Sequence, residues 1–335
     1  MSEMAQRSPT SVPASSGFDL FEFLSRYGTL IALVLLLAFN FVHTPNFATI
    51  QTLNVNLTQV CTIVIVAVGM TLVIATGGID LSVGSLMAIS GALAPMIFLG
   101  QIVQFGNIYV AVAVAMVVSV LIAGLFGVFN GILVARFRIQ PIVATLVLFI
   151  AGRGIAQVLT NGNLQTFTVP QFQWIGLARP FGIPAQVIVM VLLVAVAAWA
   201  LRRTIFGRRI LAVGGNEKAS ELAGLPVSRI KIAVYAISGL CAGLAGLVVI
   251  AINSSSDANL VGLGMELDAI AAVAVGGTPF TGGRATVVGS LLGALLIQLL
   301  RYTLLANGVP DSVALVVKGA IIAGAVWSQQ RGQAS

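Results

Sequence analysis

Long apolar runs separated by short polar segments make up most of this chain. A membrane-spanning helix needs about 20 mainly apolar residues. The run at 265–278 is short for a span, and the run at 108–134 is long. The pattern predicts an all-α polytopic membrane protein with about ten transmembrane helices. The runs lie at residues 28–45, 58–76, 83–100, 108–134, 141–160, 185–201, 230–252, 265–278, 285–304 and 312–328.

Composition agrees with this pattern. Only 8% of the 335 residues are charged, and 58% are apolar. An average soluble domain carries about 25% charged residues. The chain therefore lacks the polar surface of a water-soluble globule, which excludes a soluble enzyme and a disordered regulator. The net charge of +7 does not indicate nucleic acid, because many of the cations fall in two short segments between apolar runs.

The positions of those cations predict the orientation of the chain. Cytoplasmic loops of membrane proteins carry an excess of Lys and Arg. Arg136 and Arg138 follow the fourth apolar run, and segment 202–231, which follows the sixth, holds seven more cations. With ten spans, this asymmetry places the N-terminus and the C-terminus inside.

Three regions follow from this arrangement. Residues 1–27 are predicted to form a cytoplasmic N-terminal tail, in which Phe18–Tyr27 is an amphipathic helix along the membrane interface. Residues 28–328 form the transmembrane domain, which includes a cytoplasmic loop at 202–229. Residues 329–335 form a cytoplasmic C-terminal tail.

The usual motifs of nucleotide and metal chemistry are missing from the sequence. A P-loop needs Gly directly before its Lys, and none of Lys218, Lys231 and Lys318 follows a Gly. The single histidine, His43, cannot build a zinc site. We therefore expect a chain that is not an enzyme and holds no cofactor or metal of its own.

Acidic residues between or beside apolar runs are the first candidates for function, because a charge inside lipid costs about 2.5–3.5 kcal/mol. Asp80 lies in a break at Gly77–Ser82, where it can cap the amides that open the next helix or line a polar pathway. Glu266 and Asp268 open the eighth apolar run. They can be partners of the helix dipole or ligands of a coupling ion.

Neutral amides form the second group of candidates. Asn54, Gln59, Asn130 and Gln157 lie within or beside apolar runs. A neutral polyol such as a sugar needs donors and acceptors of this kind, although buried amides also join helices to one another. For the cations Arg153 and Lys318, which lie inside predicted spans, structural pairing is favoured over contact with a solute.

The cytoplasmic loop contains a short predicted helix. Asn216 can cap residues 217–223, which place Ala219 and Ala223 on one side, and Gly224 and Pro226 can end the helix. Such a helix is suited to docking into a groove on another protein. The alternative is a loop held at the membrane surface by anionic lipid.

An internal similarity joins two parts of the chain. Residues 76–86 and 281–291 agree at seven of eleven positions, and both link one apolar run to the next. Transporters often contain paired repeats with Gly-broken helices near the substrate path.

Several motifs spread along the chain, from Gly69–Gly84 to Gly282–Arg284, resemble those of one family, the permease subunits of bacterial ABC importers for monosaccharides. This family includes the ribose, xylose, arabinose and galactose permeases. Asp257-Ala-Asn259 before Glu266-Leu-Asp268 looks most like the galactofuranose-type permeases. The resemblance covers roughly residues 50–325. The motifs that carry it are Gly69–Gly84, with its specific run Gly-Gly-Ile-Asp-Leu-Ser-Val-Gly, then Phe129–Val134, Gln140–Thr145, Ala151–Gly154, Ala212–Asn216 and Gly282–Arg284.

The resemblance implies an ABC importer permease fold in the bacterial inner membrane. It implies a homodimer of the permease subunit around one pathway. Cytoplasmic ATPase subunits would bind ATP and Mg²⁺, and a periplasmic protein would deliver the sugar. The coupling element would be residues 214–226, including Gly214. The alternatives are an ion-coupled secondary sugar transporter and a polytopic membrane enzyme.

Overall fold

The computed structural model describes residues 20–334, and the first nineteen residues of the predicted N-terminal tail lie outside this range. The described chain is mostly helical. Its helices are α1 (Leu20–His43), α2 (Ile50–Ala75), α3 (Val83–Phe98), α4 (Ile108–Ala135), α5 (Pro141–Leu159), α6 (Pro170–Leu177), α7 (Ala185–Arg203), α8 (Ile205–Gly215), α9 (Glu217–Leu222), α10 (Val227–Asn253), α11 (Met265–Val275), α12 (Val287–Ala306) and α13 (Asp311–Ala334). Two short strands, β1 (Gln165–Thr166) and β2 (Ser255–Ser256), pair antiparallel.

The prediction of a helical polytopic protein is confirmed. In the described part of the chain, six helices are long and apolar enough to cross a membrane: α2, α4, α5, α7, α10 and α12. The four remaining apolar runs fall on α1, α3, α11 and α13. Residues 20–27 continue into the first apolar run as one helix, and α13 continues through most of the predicted C-terminal tail.

The centre of the fold is built from α2, α3 and α10. Every residue of α2 from Val60 to Ala75 is buried, and α3 is buried except at Met96. A helix that is apolar on all sides belongs in an interior position, because it has no polar face for solvent. α10 packs against α2, α3 and α4.

Glycines let α4 and α10 approach closely. A Cβ atom at Gly131 of α4 would lie 2.7 Å from the Cα atom of Ile232, and one at Gly243 of α10 would lie 2.8 Å from the Cβ atom of Ala123. In lipid the hydrophobic effect does not drive helices together, so close packing of small residues has this role.

The two ends of the helix bundle differ in charge. At one end, Ser228 donates a hydrogen bond to the carbonyl of Ala135 (3.2 Å), and Gly283 donates one to the carbonyl of Ala75 (3.0 Å). This end, which we call the basic end, carries Arg136, Arg138 and segment 202–231. The opposite end carries the strand pair and a cluster of three rings, Phe98, Phe167 and Phe172.

Two irregular segments enter the bundle from these opposite ends. Segment 76–82 separates α2 from α3 on the basic side. Segment 254–264 follows α10 and runs beside α3: a Cβ atom at Gly91 would lie 3.5 Å from the Oγ atom of Ser256, and one at Gly262 would lie 2.9 Å from the Cβ atom of Met87. Non-helical backbone at membrane depth is tolerated where protein or a water-filled cavity surrounds it.

Candidate functional site

Asp80 lies at a junction of three helices and is fully buried. Its Oδ1 atom accepts hydrogen bonds from the backbone N–H (3.0 Å) and the hydroxyl (2.6 Å) of Ser82, and its Oδ2 atom accepts one from Ser238 of α10 (2.8 Å). Asn130 of α4 donates to the Ser82 hydroxyl (2.8 Å). Both path candidates, Asp80 and Asn130, therefore contact protein groups in the interior. The one backbone donor to Asp80 is the N–H of Ser82, the residue that precedes α3, and the capping interpretation stays a prediction.

Replacing Asp80 tests that interpretation. We expect Asp80→Ala to lower the melting temperature of the purified chain by several degrees, because three donors lose a charged acceptor and each orphaned group costs about 1–3 kcal/mol. Asp80→Asn keeps the shape and one acceptor, so its loss of stability is smaller. Melting curves in detergent, measured beside solute uptake, check this. Unchanged melting of both variants, together with lost uptake, would contradict a capping role and favour solute contact.

Three backbone segments meet at the basic end with no room for side chains. Gly283 bonds the carbonyl of Ala75, the last residue of α2. A Cβ atom at Gly214 would overlap that carbonyl oxygen and would lie 2.5 Å from the backbone nitrogen of Gly283. We call this contact of Ala75, Gly214 and Gly283 the glycine clasp. It joins the end of α8 to the segments that precede α3 and α12.

The glycine clasp also brings together the two similar stretches of sequence. Gly77 and Gly282 both adopt the left-handed conformation (φ 75° and 80°). A Cβ atom at Gly77 would lie 3.6 Å from the carbonyl oxygen of Thr281. Residues 76–86 and 281–291 thus share a turn followed by a helix start, and the two turns are neighbours.

The short helix predicted after Asn216 is present as α9. The Asn216 side chain caps it by accepting from the N–H of Ala219 (2.9 Å), and Gly224 follows its end in the left-handed conformation (φ 79°). Most of α9 is exposed: Leu222 reaches 91%. The other predicted coupling residues, Ala219, Ala223 and Pro226, are exposed too. An exposed leucine beside small residues fits a docking surface.

Ion pairs hold α9 in place. Lys231 at the start of α10 bonds Glu217 at 2.6 Å, and Arg138 lies 3.9 Å from Glu221. A polar cleft of about 490 Å³ lies between α9 and the turn that joins α4 to α5. α9 is thus tied to the basic end of α10 while its Leu222 side chain faces away from the protein.

A second polar cluster lies where α5 faces segment 257–266. Arg153 donates to the carbonyls of Ala258 (2.8 Å) and Val261 (2.5 Å) and, more weakly, to that of Gly84 (3.4 Å). Gln157 donates to the amide oxygen of Asn259 (2.7 Å). Glu266 is 6% exposed, and its Oε2 atom has no hydrogen-bond partner in the described part of the chain.

The remaining candidates lie apart from this cluster. Asp268 of α11 forms an ion pair with Lys318 of α13, and both side chains are largely buried. The structural pairing expected for Lys318 is therefore present. Asn54 and Gln59 lie on the half of α2 that precedes its buried part, where Gln59 is exposed. The structure does not bring these two residues close to Asp80 or to Gln157.

Some residues of these sites were missed by the reading of the sequence. Ser238, which holds Asp80, lies in none of the quoted motifs, and Ser82 and Gly283 lie in such motifs without being singled out. Serine and glycine are common in membrane helices, and their identity carries no signal of a site. Arg153 was noticed as an intramembrane cation, but its partners are carbonyls, which every residue has.

This arrangement of apolar helices, polar interior breaks and an exposed short helix at the basic end is that of a multi-pass membrane protein. The profile of the family described as "Branched-chain amino acid transport system / permease component" matches residues 52–326. The chain belongs to this family, whose members are transport subunits of the bacterial inner membrane.

Curated relatives match nearly the whole chain. The ribose import permease protein of Escherichia coli is 42% identical over 309 residues, which cover 91% of this chain and 94% of that protein. The galactofuranose transporter permease protein of Escherichia coli is 42% identical over 268 residues, covering 79% and 76%. The L-arabinose ABC transporter permease protein of Azospirillum brasilense is 33% identical over 318 residues, covering 95% and 91%. No solved structure matches the chain.

Proposed function

We propose that this chain is the membrane permease of an ATP-driven importer of monosaccharides. The observation that carries the proposal is the 42% identity to a ribose import permease over 91% of the chain. The family description names branched-chain amino acids, but the curated relatives quoted above are sugar permeases. We give the relatives more weight, because they align over the chain at high identity, whereas a family profile groups transporters of several solutes.

In this proposal the chain crosses the membrane ten times. The helices α1, α3, α11 and α13 cross the membrane in addition to the six long apolar helices. The irregular backbone around α3 and α11 is shielded from lipid by the surrounding helices. The basic end faces the cytoplasm, because it carries most of the Lys and Arg residues. The N-terminus and the C-terminus are then both inside, and the strand pair lies outside.

Energy comes from partner proteins. The sequence has no P-loop lysine, so ATP and Mg²⁺ are bound by cytoplasmic ATPase subunits that dock on α9 and residues 214–226. A periplasmic sugar-binding protein delivers the solute at the opposite end, and two copies of the permease surround one pathway. ATP binding on the partner biases the equilibrium between inward-open and outward-open states. The chain itself holds no cofactor and catalyses no covalent step.

In this proposal the predicted path residues divide between the pathway and the frame around it. Asn54, Gln59, Gln157 and Glu266 are candidates, since Asn54, Gln59 and Gln157 are at least partly exposed and Glu266 has an unpartnered oxygen. Asp80 and Asp268 are engaged with protein partners, which supports structural roles that keep the path in shape. Asn130 donates to Ser82, but its Oδ1 atom has no partner in the described part of the chain, so Asn130 stays a path candidate.

Co-purification followed by reconstitution tests the function. We expect the tagged chain, extracted from native membranes in mild detergent, to carry an ATPase with it. Proteoliposomes of that complex, given the periplasmic binding protein, should take up at least one of ribose, arabinose, fructose and galactose when ATP is supplied, and should not take up leucine. Uptake by the chain alone under a proton or sodium gradient would favour a secondary transporter. Uptake of leucine in place of sugars would overturn the sugar assignment.

A further inference from the structure

The polar cluster on α5 runs from near the mid-height of the helix, at the Arg153 guanidinium, to its last turn, at Gln157. The hydroxyl of Ser85, in the first turn of α3, donates to the carbonyl of Leu148 (2.7 Å), which is the eighth of nineteen residues in α5. Helical side chains tilt toward the N-terminus of their helix. The Arg153 side chain therefore points from its position on α5 toward the level of Leu148, and it reaches the carbonyl of Gly84. The guanidinium therefore lies near the mid-height of a membrane-spanning helix.

Hydrogen-bonding groups remain free in this cluster. Arg153 has five N–H donors, and three hydrogen bonds join it to described residues. Glu266 Oε2 lies against the first turn of α3, since a Cβ atom at Gly84 would be 2.5 Å from it. This oxygen belongs to a side chain that is more than nine-tenths buried and accepts no bond. An unpartnered acceptor beside a cation is costly unless a ligand or water occupies the site.

The same cluster reaches the protein surface. Asn259 is exposed and Gln157 and Arg153 are half-buried, while Leu260 and Leu263 beside them are also exposed. Lipid tails cannot satisfy amide and guanidinium groups, so a surface of this kind at membrane depth faces water or protein. Mixed donors and acceptors flanked by apolar side chains match a sugar, which presents both hydroxyl groups and C–H faces.

We propose that Arg153, Gln157, Asn259 and Glu266, which we call the α5–α11 seam, bind the permeating solute between the level of Gly84 and the last turn of α5. The solute is a small neutral molecule with several hydroxyl groups. The inference deepens the proposed function and rests on it. Arg153 and Gln157 donate to hydroxyl oxygens, and the Glu266 carboxylate accepts a hydroxyl proton in a hydrogen bond. Arg153 also positions segment 257–264 against α3, so that solute binding and the position of this segment are linked.

Cysteine labelling separates a water-filled seam from a lipid-facing surface. The two natural cysteines, Cys61 and Cys241, are buried, so maleimide labelling of the permease reports on the introduced cysteine. Gln157→Cys is compared with Val158→Cys, because Val158 is the next residue on the same helix, is apolar and is 76% exposed. In proteoliposomes of the whole importer, a water-soluble maleimide should label position 157 at least about tenfold faster, because only a hydrated thiol forms the reactive thiolate.

Protection and transport complete the test. Asn259→Cys serves as a second variant where Gln157→Cys fails to assemble. We expect an excess of the transported sugar to slow labelling at positions 157 and 259 but not at 158, and we expect the labelled complex to lose uptake. Equal labelling rates at positions 157 and 158, or full uptake by labelled complexes, would overturn the proposal that the α5–α11 seam binds the solute. Failure of the unmodified complex to import any of the four sugars would instead overturn the proposed function, which keeps the two failures apart.

Discussion

Leu222→Asp should abolish binding of the ATPase while leaving the permease folded. The leucine is 91% exposed in the isolated chain, so its replacement removes no internal contact. Burying a leucine side chain against the ATPase contributes about 1.5–3 kcal/mol to binding. An aspartate at the same position would also lose hydration of its carboxylate on binding, which weakens the complex further. We expect ATP-driven uptake to fall more than about tenfold, since each 1.4 kcal/mol is a factor of ten in affinity. Co-purification of the ATPase and uptake in proteoliposomes measure this.

The loop offers a matched control and a second variant. Ile205→Asp introduces the same charge at an exposed apolar residue of α8, outside residues 214–226, and should keep the ATPase bound. Ala223→Glu, next to Leu222, should behave as Leu222→Asp does. Gly224 is a poor choice, because its left-handed backbone would be strained by any side chain. Normal uptake and normal co-purification with Leu222→Asp would remove α9 from the docking surface.

Gly214→Ala should have the second large effect. Its methyl group would overlap the carbonyl oxygen of Ala75 and press on the backbone of Gly283. These are backbone atoms and cannot rotate away as a flexible side chain can. Overpacking of this kind costs about 1–3 kcal/mol, and the hydrogen bond between Gly283 and Ala75 is lost as well. We expect a lower melting temperature and a large loss of ATP-driven uptake.

Gly215→Ala is the control for Gly214→Ala. A Cβ atom at Gly215 has its nearest neighbour at 4.0 Å, the Cα atom of Gly283, so the methyl group fits. Alanine also favours the helix by up to about 1 kcal/mol over glycine. This variant should melt at or above the wild-type temperature and transport normally. If the two alanine variants behave alike, the close contact at Gly214 has no role in stability or coupling.

The sequence predicts the long helices of this fold well, because each membrane helix corresponds to a long apolar run. It also predicts α9, since the Asn216 cap and the Gly224 stop are local signals. The surroundings of Asp80 could not be predicted in this way. Its partner Ser238 is 158 residues away, and one serine among many in apolar helices gives no sign of such a contact.

Backbone contacts are the second kind of feature that the sequence hides. Arg153 bonds three carbonyl oxygens, and the glycine clasp joins an amide to a carbonyl. Every residue supplies these groups, so residue identity does not mark the position. Only the placement of segments 76–82 and 254–264 inside the bundle reveals which carbonyls are available.

The ion pair between Asp268 and Lys318 has a consequence for biogenesis. Lys318 is the eighth residue of α13, and a lone Lys in hydrocarbon opposes insertion by about 2.5–3.5 kcal/mol. The partner carboxylate on α11 offsets that cost. α11 precedes α13 in the chain, so the carboxylate that neutralises Lys318 is synthesised before the helix that needs it.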